Sequence, residues 1–90
     1  MKVLIDADGC PVVKQAIQIA KENNIEVAIF CDTSHIINSN YAEVVTVSKG
    51  ADSVDFALVN KVQSEDIVIT QDYGLAAMVL SKGGKAITQN

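Results

Sequence analysis

The chain contains no arginine and no tryptophan, one histidine (His35) and one proline (Pro11), and only 4% of its residues are aromatic. Each scarcity excludes something. Arginine is the planar fork that grips phosphate oxygens two at a time. Here the seven cationic side chains are all lysines, point charges on flexible stems. With a net charge of −4, no basic surface for holding a nucleic-acid backbone is visible. A polyanionic substrate would need a metal ion to supply positive charge. The two cysteines, Cys10 and Cys31, lie far apart and form no CxxC pair. That excludes a disulfide framework, and His35 completes no zinc site with them at a familiar spacing. Reduced thiols are expected. No apolar run approaches the roughly 18 residues of a membrane span. The start, "MKVLID", lacks the apolar core and small-residue cleavage site of a signal peptide. The expected compartment is the cytoplasm, with no membrane partner.

What the chain does have is aliphatic material. Hydrophobic residues make up 49% of the 90 positions, mostly Val, Ile, Leu and Ala. This suits one domain whose strands are buried on both faces beneath small-residue helices. The pattern alternates. Strands are predicted over Lys2 to Asp6, Glu26 to Cys31, Ala42 to Ser48, Glu65 to Thr70 and Lys85 to Thr88. Helices are predicted over Cys10 to Asn24, Ala51 to Val62 and Tyr73 to Gly83. Pro11 fits the first turn of the first helix, where a missing N–H costs nothing. Ala16, Ile17, Ile19 and Ala20, with Val12 or Val13, form its apolar stripe. Asn23-Asn24 and Gly83-Gly84 mark helix ends, and "DTSHIINSN" reads as a polar loop. Strands alternating with helices imply right-handed crossovers and a mostly parallel sheet. The expected fold class is therefore α/β, a three-layer sandwich with a five-stranded sheet in the order 3-2-1-4-5. That order places the topological switch point, where open α/β sheets bind ligands, between strands 1 and 4.

The acidic residues fall where this topology gives them meaning. Asp6 ends the first strand, and Asp8 follows it in "VLIDADGC". Asp72 follows the fourth strand in "VITQDYGLA", after Thr70 and Gln71. Asp52 and Asp55 stand three apart at the start of the second helix, on one helical face. All would approach the same end of the sheet. Gathered carboxylates repel unless a cation sits among them. Mg²⁺ or Mn²⁺, hard ions that prefer oxygen ligands, are the natural candidates. Such an ion activates water and clamps a phosphodiester. The metal reading takes Asp6, Asp8, Asp52, Asp55 and Asp72 as ligands, Asp6, Asp55 and Asp72 as the catalytic set, and Thr70 and Gln71 as groups orienting a bound water. The plainer reading makes aspartates before helices into caps worth about 1 kcal/mol each. It is favoured for Asp8 and Asp52 taken singly and is open to Asp72, while Asp55 would suit the helix dipole. Asp6, at the end of an apolar strand, fits it least.

Among the other residues, Cys10 at a helix start reads as a packed thiol rather than a nucleophile, because Asp8 opposes its ionisation. Cys31 reads as core and His35 as a surface residue. Tyr73 would stack on a base or cover the sheet edge. Lys14 and Lys49 read as solvated.

"IDADGCPV", "GADSVDFALV" and "VITQDYGLAAMVLSKGGKAI" together resemble the YaiI/YqxD family of small bacterial proteins. Its pattern runs DADxCP, GxDxxD, then T-x-D-x-x-L-A, and the likeness spans almost the whole chain. The resemblance implies a PIN-like, metal-dependent nuclease fold. Asp6 matches the first acid, Asp55 or Asp52 an inner acid and Asp72 the late one, while Asp8, Cys10 and Pro11 belong to the family's own signature. Family members continue through an Asn-Pro-Arg-Gly-like segment and a helical tail. The expectation is thus a single PIN-like domain over residues 1–90 without that tail. The function expected is a Mg²⁺- or Mn²⁺-dependent nuclease or phosphodiesterase acting on RNA or another nucleic acid. One alternative is a non-catalytic metal- or nucleic-acid-binding regulatory module, which the acidic balance and missing arginines favour. Another is a haloacid-dehalogenase-type phosphatase, because "VLIDADG" resembles its first motif, with Asp6 as nucleophile and Asp8 as general acid. Against the phosphatase stand the short chain and Pro11, which starts a helix where a flap hairpin would follow.

Overall fold

The computed structural model describes residues 1–7, 12–34, 37–50 and 53–88. Eight elements follow one another: β1 (Lys2–Asp6), α1 (Val13–Glu22), β2 (Glu26–Asp32), β3 (Glu43–Val47), α2 (Ser53–Lys61), β4 (Ile67–Ile69), α3 (Tyr73–Ser81) and β5 (Lys85–Ile87). The strands form one sheet in the order β3-β2-β1-β4-β5, and every pairing is parallel. The α/β class and the strand order agree with the sequence reading. Pairing runs in register from Lys2↔Glu26 to Asp6↔Phe30 on one side of β1, and from Val3↔Ile67 to Ile5↔Ile69 on the other.

Alternation along the central strands divides the core between two faces. Leu4, Ala28, Phe30 and Val68 pack under Val54 and Leu58 of α2 and Leu75 and Val79 of α3. Val3, Ile5, Val27 and Ile29 pack under Ala16, Ile17 and Ala20 of α1, and under Tyr41 and Ala42 of the β2–β3 connection. The three layers are thus α1 with that connection, the sheet, and α2 with α3. Each helix lies between parallel strands and returns against their direction. Its N-terminus therefore comes to the end of the sheet where the strands finish.

The helix ends explain why the chain turns back where it does. After α3, the Gly83 N–H donates to the Leu80 carbonyl and the Gly84 N–H to the Val79 carbonyl, both at 3.1 Å. Gly83 has φ +86°. This is a Schellman closure, which places a left-handed residue just past the helix. Asn24 plays the same part after α1, with φ 57°. Its N–H reaches the Lys21 carbonyl at 3.2 Å, and that of Ile25 reaches the Ala20 carbonyl at 2.8 Å. Asparagine tolerates this conformation better than any residue but glycine.

Some expectations need correction. Helix α1 starts at Val13 rather than Cys10. Its cap, Val12, has φ −115° and ψ 31° and offers no side-chain acceptor. Ile19, expected in the buried stripe, is 60% exposed; it lies at the margin of the helix, where it lines a groove with Ile67, Ile69 and Ile87. Strand β4 is shorter than expected because Glu65 takes φ 75°, and Asp66 turns its N–H back to the Gln63 carbonyl. Asp8, Cys10, Pro11, His35 and Asp52 lie outside the described residues. Cys31 is fully buried, as expected, and Lys14 and Lys49 are exposed. Among the described residues, no helix is long and apolar enough to cross a membrane.

Candidate functional site

Strand β1 is central and has four apolar residues before Asp6. Any residue at its end is therefore covered by strands on both sides and a helix above. Asp6 is accordingly only 5% exposed. It shares its face of the sheet with Leu4, the face carrying α2 and α3. A buried carboxylate is costly unless polar groups surround it. One such group is Thr70, just past β4 and 1% exposed. The Thr70 hydroxyl donates to Asp6 Oδ2 at 2.8 Å, and Thr70 Oγ1 accepts the Asp72 N–H at 3.0 Å. The hydroxyl thus joins the carboxylate at the end of β1 to the backbone that starts α3. This contact bridges the boundary between β1 and β4, which is the switch point of the sheet.

Asp72 is the N-cap of α3. Its Oδ1 accepts the N–H groups of Gly74 at 2.9 Å and Leu75 at 3.2 Å. Both readings of Asp72 from sequence converge on one place, because the cap position is also the end of the sheet where Asp6 lies. Asp72→Ala is expected to cost about 1 kcal/mol by removing the cap, read as a lowered urea midpoint; Asp72→Asn is expected to keep most of it. Asp55 sits in the first turn of α2, where a negative charge complements the helix dipole. Gln71 is exposed, and so is Tyr73, at 63%.

Asp32 was not among the residues singled out from sequence. It ends β2 at the same end of the sheet, two residues past Phe30, the register partner of Asp6. Its Oδ1 accepts the Ser34 N–H at 2.8 Å and also the Ser34 hydroxyl. The signal was present: "CDTS" is an aspartate with a serine two residues on, the pattern of an Asx turn.

The end of the sheet therefore carries Asp6, Asp32, Asp55 and Asp72, all with oxygen donors, together with three helix N-termini. Such donors suit a hard divalent cation. Among the described residues, however, no three His, Cys, Asp or Glu side chains stand close enough together to hold a metal. Asp6, Asp55 and Asp72 alone do not complete a ligand set, and the remaining ligands assigned from sequence, Asp8 and Asp52, lie outside the described residues.

Comparison with known proteins bears on the same motifs. The profile of the uncharacterized BCR, YaiI/YqxD family matches residues 4–90. The chain belongs to the YaiI/YqxD family. It is 59% identical over 87 residues to a UPF0178 protein of Clostridium kluyveri, a match covering 97% of this chain and 57% of that relative. It is 51% identical over 90 residues to a UPF0178 protein of Clostridium acetobutylicum, covering 100% of this chain and 61% of the relative. With the UPF0178 protein of Lachnoclostridium phytofermentans it shares 54% over 87 residues, covering 97% and 58%. The chain thus spans about three-fifths of the length of these YaiI/YqxD relatives. No solved structure matches it. Identity at this level over nearly the whole chain means that the relatives share the fold of this region.

Proposed function

We propose that this YaiI/YqxD protein is a metal-dependent phosphodiester hydrolase of PIN-like type, acting on RNA or another nucleic acid at the end of the sheet where β1 and β4 finish. The observation that carries the reading is the burial of Asp6 at the switch point, with its carboxylate oriented by the Thr70 hydroxyl. Mg²⁺ or Mn²⁺ held there by Asp6, with Asp8 or Asp52 and Asp55 or Asp72, would supply the positive charge that a chain without arginine lacks and would stabilise charge on the phosphodiester. The chain's own groups do the rest. Thr70 fixes the rotamer of Asp6 through its hydroxyl. Asp72 anchors α3 by Oδ1.

A second reading rests on a separate observation. Three helix N-termini end beside these carboxylates, and their partial positive charge offsets the repulsion without any ion. That favours a non-catalytic module that binds nucleic acid or metal.

Two measurements distinguish these readings. Mn²⁺ binding is titrated by the loss of its free-ion EPR signal, and cleavage of labelled RNA is followed with Mn²⁺ present. The hydrolase reading expects Asp6→Asn to weaken both at least tenfold. It expects Asp72→Asn, which retains the cap, to slow cleavage with the folded state intact by circular dichroism. Ion binding without turnover assigns the regulatory module. Ion binding and cleavage both unchanged in Asp6→Asn remove Asp6 from the site and refute the proposal.

A further inference from the structure

The two edges of the sheet are unlike. An edge strand offers unpaired backbone groups to any other strand, and natural edges are blunted by shortness, lysine, proline or a bulge. β5 is blunted: it has three residues and begins with Lys85. β3 is not. Its five residues, Glu43–Val47, carry the run Val-Val-Thr-Val, which favours strand, and include no proline or lysine. It pairs with β2 alone. Among the described residues, no backbone hydrogen bond from outside the sheet reaches it. Val44, Val45 and Val47 are only half-buried, although they pack against the two core clusters. Glu43 and Val45 also line a cavity of about 540 Å³ with Leu4 and Phe30 on the α2 face.

The Val45 carbonyl points at β2, since Cys31 Sγ lies 4.0 Å from it. Successive residues of a strand turn their N–H and C=O groups to opposite sides, so those of Val44 and Thr46 face outward. An antiparallel partner must oppose outward residues to outward residues. For a second copy of this chain, each allowed register is therefore two-fold symmetric about one residue. The register about Thr46 is self-complementary. Over "EVVTVSK" it sets Glu43 opposite Lys49 of the second copy, Val45 opposite Val47, and Thr46 opposite Thr46. Glu43 and Lys49 are exposed and share the face of Val45 and Val47, so two cross-strand ion pairs flank the valine contacts. Glu43 already meets Lys2 at 3.6 Å, and a carboxylate accepts from more than one donor. β5 has no such register, because pairing about Ala86 sets Lys85 against Ile87. We propose that two copies of this YaiI/YqxD protein join by antiparallel pairing of β3 about Thr46, merging their sheets into one. The two-fold axis then runs perpendicular to the sheet, and the acidic ends of the two halves point in opposite directions.

Sedimentation velocity of this 90-residue chain should show a monomer–dimer equilibrium as concentration rises to the millimolar range. Thr46→Pro removes an outward N–H from an edge strand, where proline is tolerated. It should abolish the dimer and keep the circular dichroism spectrum of the parent. Lys49→Glu sets carboxylates against each other at both ends of the pairing and should raise the dimer dissociation constant about tenfold at low salt. Adding Glu43→Lys should restore the dimer, because the two charges then exchange places. Both charged side chains are exposed, so these variants test the register even if the proline variant fails to fold. A chain that stays monomeric overturns the proposal. So does a dimer that the folded variants leave intact, or one weakened by Lys49→Glu and not restored by the second change. A dimer abolished instead by Ile19→Glu belongs to the apolar groove beside α1 and equally overturns it.

Discussion

Phe30→Ala is expected to lower stability by about 3–5 kcal/mol, the usual cost of removing a buried aromatic ring. Phe30 is 1% exposed and the largest of the fully buried side chains. It stands on β2 beneath α2, next to β1, and shares its cluster with Leu4, Val54 and Leu58. Its neighbours on the strand face include Ala28, too small to fill the space left behind. The sheet cannot close around the gap, because β2 is held in register on both sides, by β1 and by β3. A domain of this size has roughly 5–13 kcal/mol of stability in total, so the variant would be close to unfolding at physiological temperature. Urea denaturation followed by circular dichroism reads the change. Phe56→Ala is the control. That ring is 63% exposed on the outer side of α2, and its removal should change stability by about 0.5 kcal/mol or less. Equal effects of the two substitutions would mean that the faces of α2 have been assigned wrongly.

Asp66→Ala is the second large effect, expected at about 2–4 kcal/mol. Asp66 is 6% exposed and holds three parts of the fold together. Its Oδ1 accepts the Lys2 N–H at 3.0 Å and its Oδ2 the Gln63 N–H at 2.9 Å. Its backbone carbonyl accepts the Lys85 N–H at 2.8 Å. The carboxylate therefore joins the start of β1 to the turn after α2, while the carbonyl begins the pairing of β5. Alanine leaves two partly buried N–H groups without acceptors, and each such loss costs about 1–3 kcal/mol. Asn keeps one acceptor oxygen but presents an amide N–H to the other backbone N–H, so Asp66→Asn should fall between alanine and the parent. Native-state hydrogen exchange should show faster exchange at Lys2 and Gln63 in the alanine variant. A stability change under about 0.5 kcal/mol would show that solvent satisfies these groups.

Asp6 and Asp66 mark the boundary of what sequence reasoning reaches. Asp6 is legible because a carboxylate closing an apolar strand breaks the local pattern, and the strand order then puts it at the switch point. Asp66 is not. It precedes a strand in a polar stretch, "SEDIVIT", and no spacing along the chain reveals that the start of β1, 64 residues away, needs its oxygen. Thr70 falls between the two: its proximity to Asp72 is sequential, but its bond to Asp6 is long-range. Ile19 was misplaced for a related reason. Helical periodicity says which residues share a stripe, whereas burial depends on how much sheet lies under that stripe, and β4 and β5 present an open groove there.

The residues alone determined the alternation of strands and helices, the helix ends at Asn23-Asn24 and Gly83-Gly84, the parallel order of the sheet and the candidacy of its aspartates. These follow from local rules: aliphatic runs, turn chemistry, and the handedness of crossovers. Tertiary structure decided which polar groups share a bond, namely Asp6 with Thr70 and Asp66 with Lys2 and Gln63, and which apolar side chains remain in water. Those outcomes depend on distances between segments far apart along the chain, and packing alone sets them.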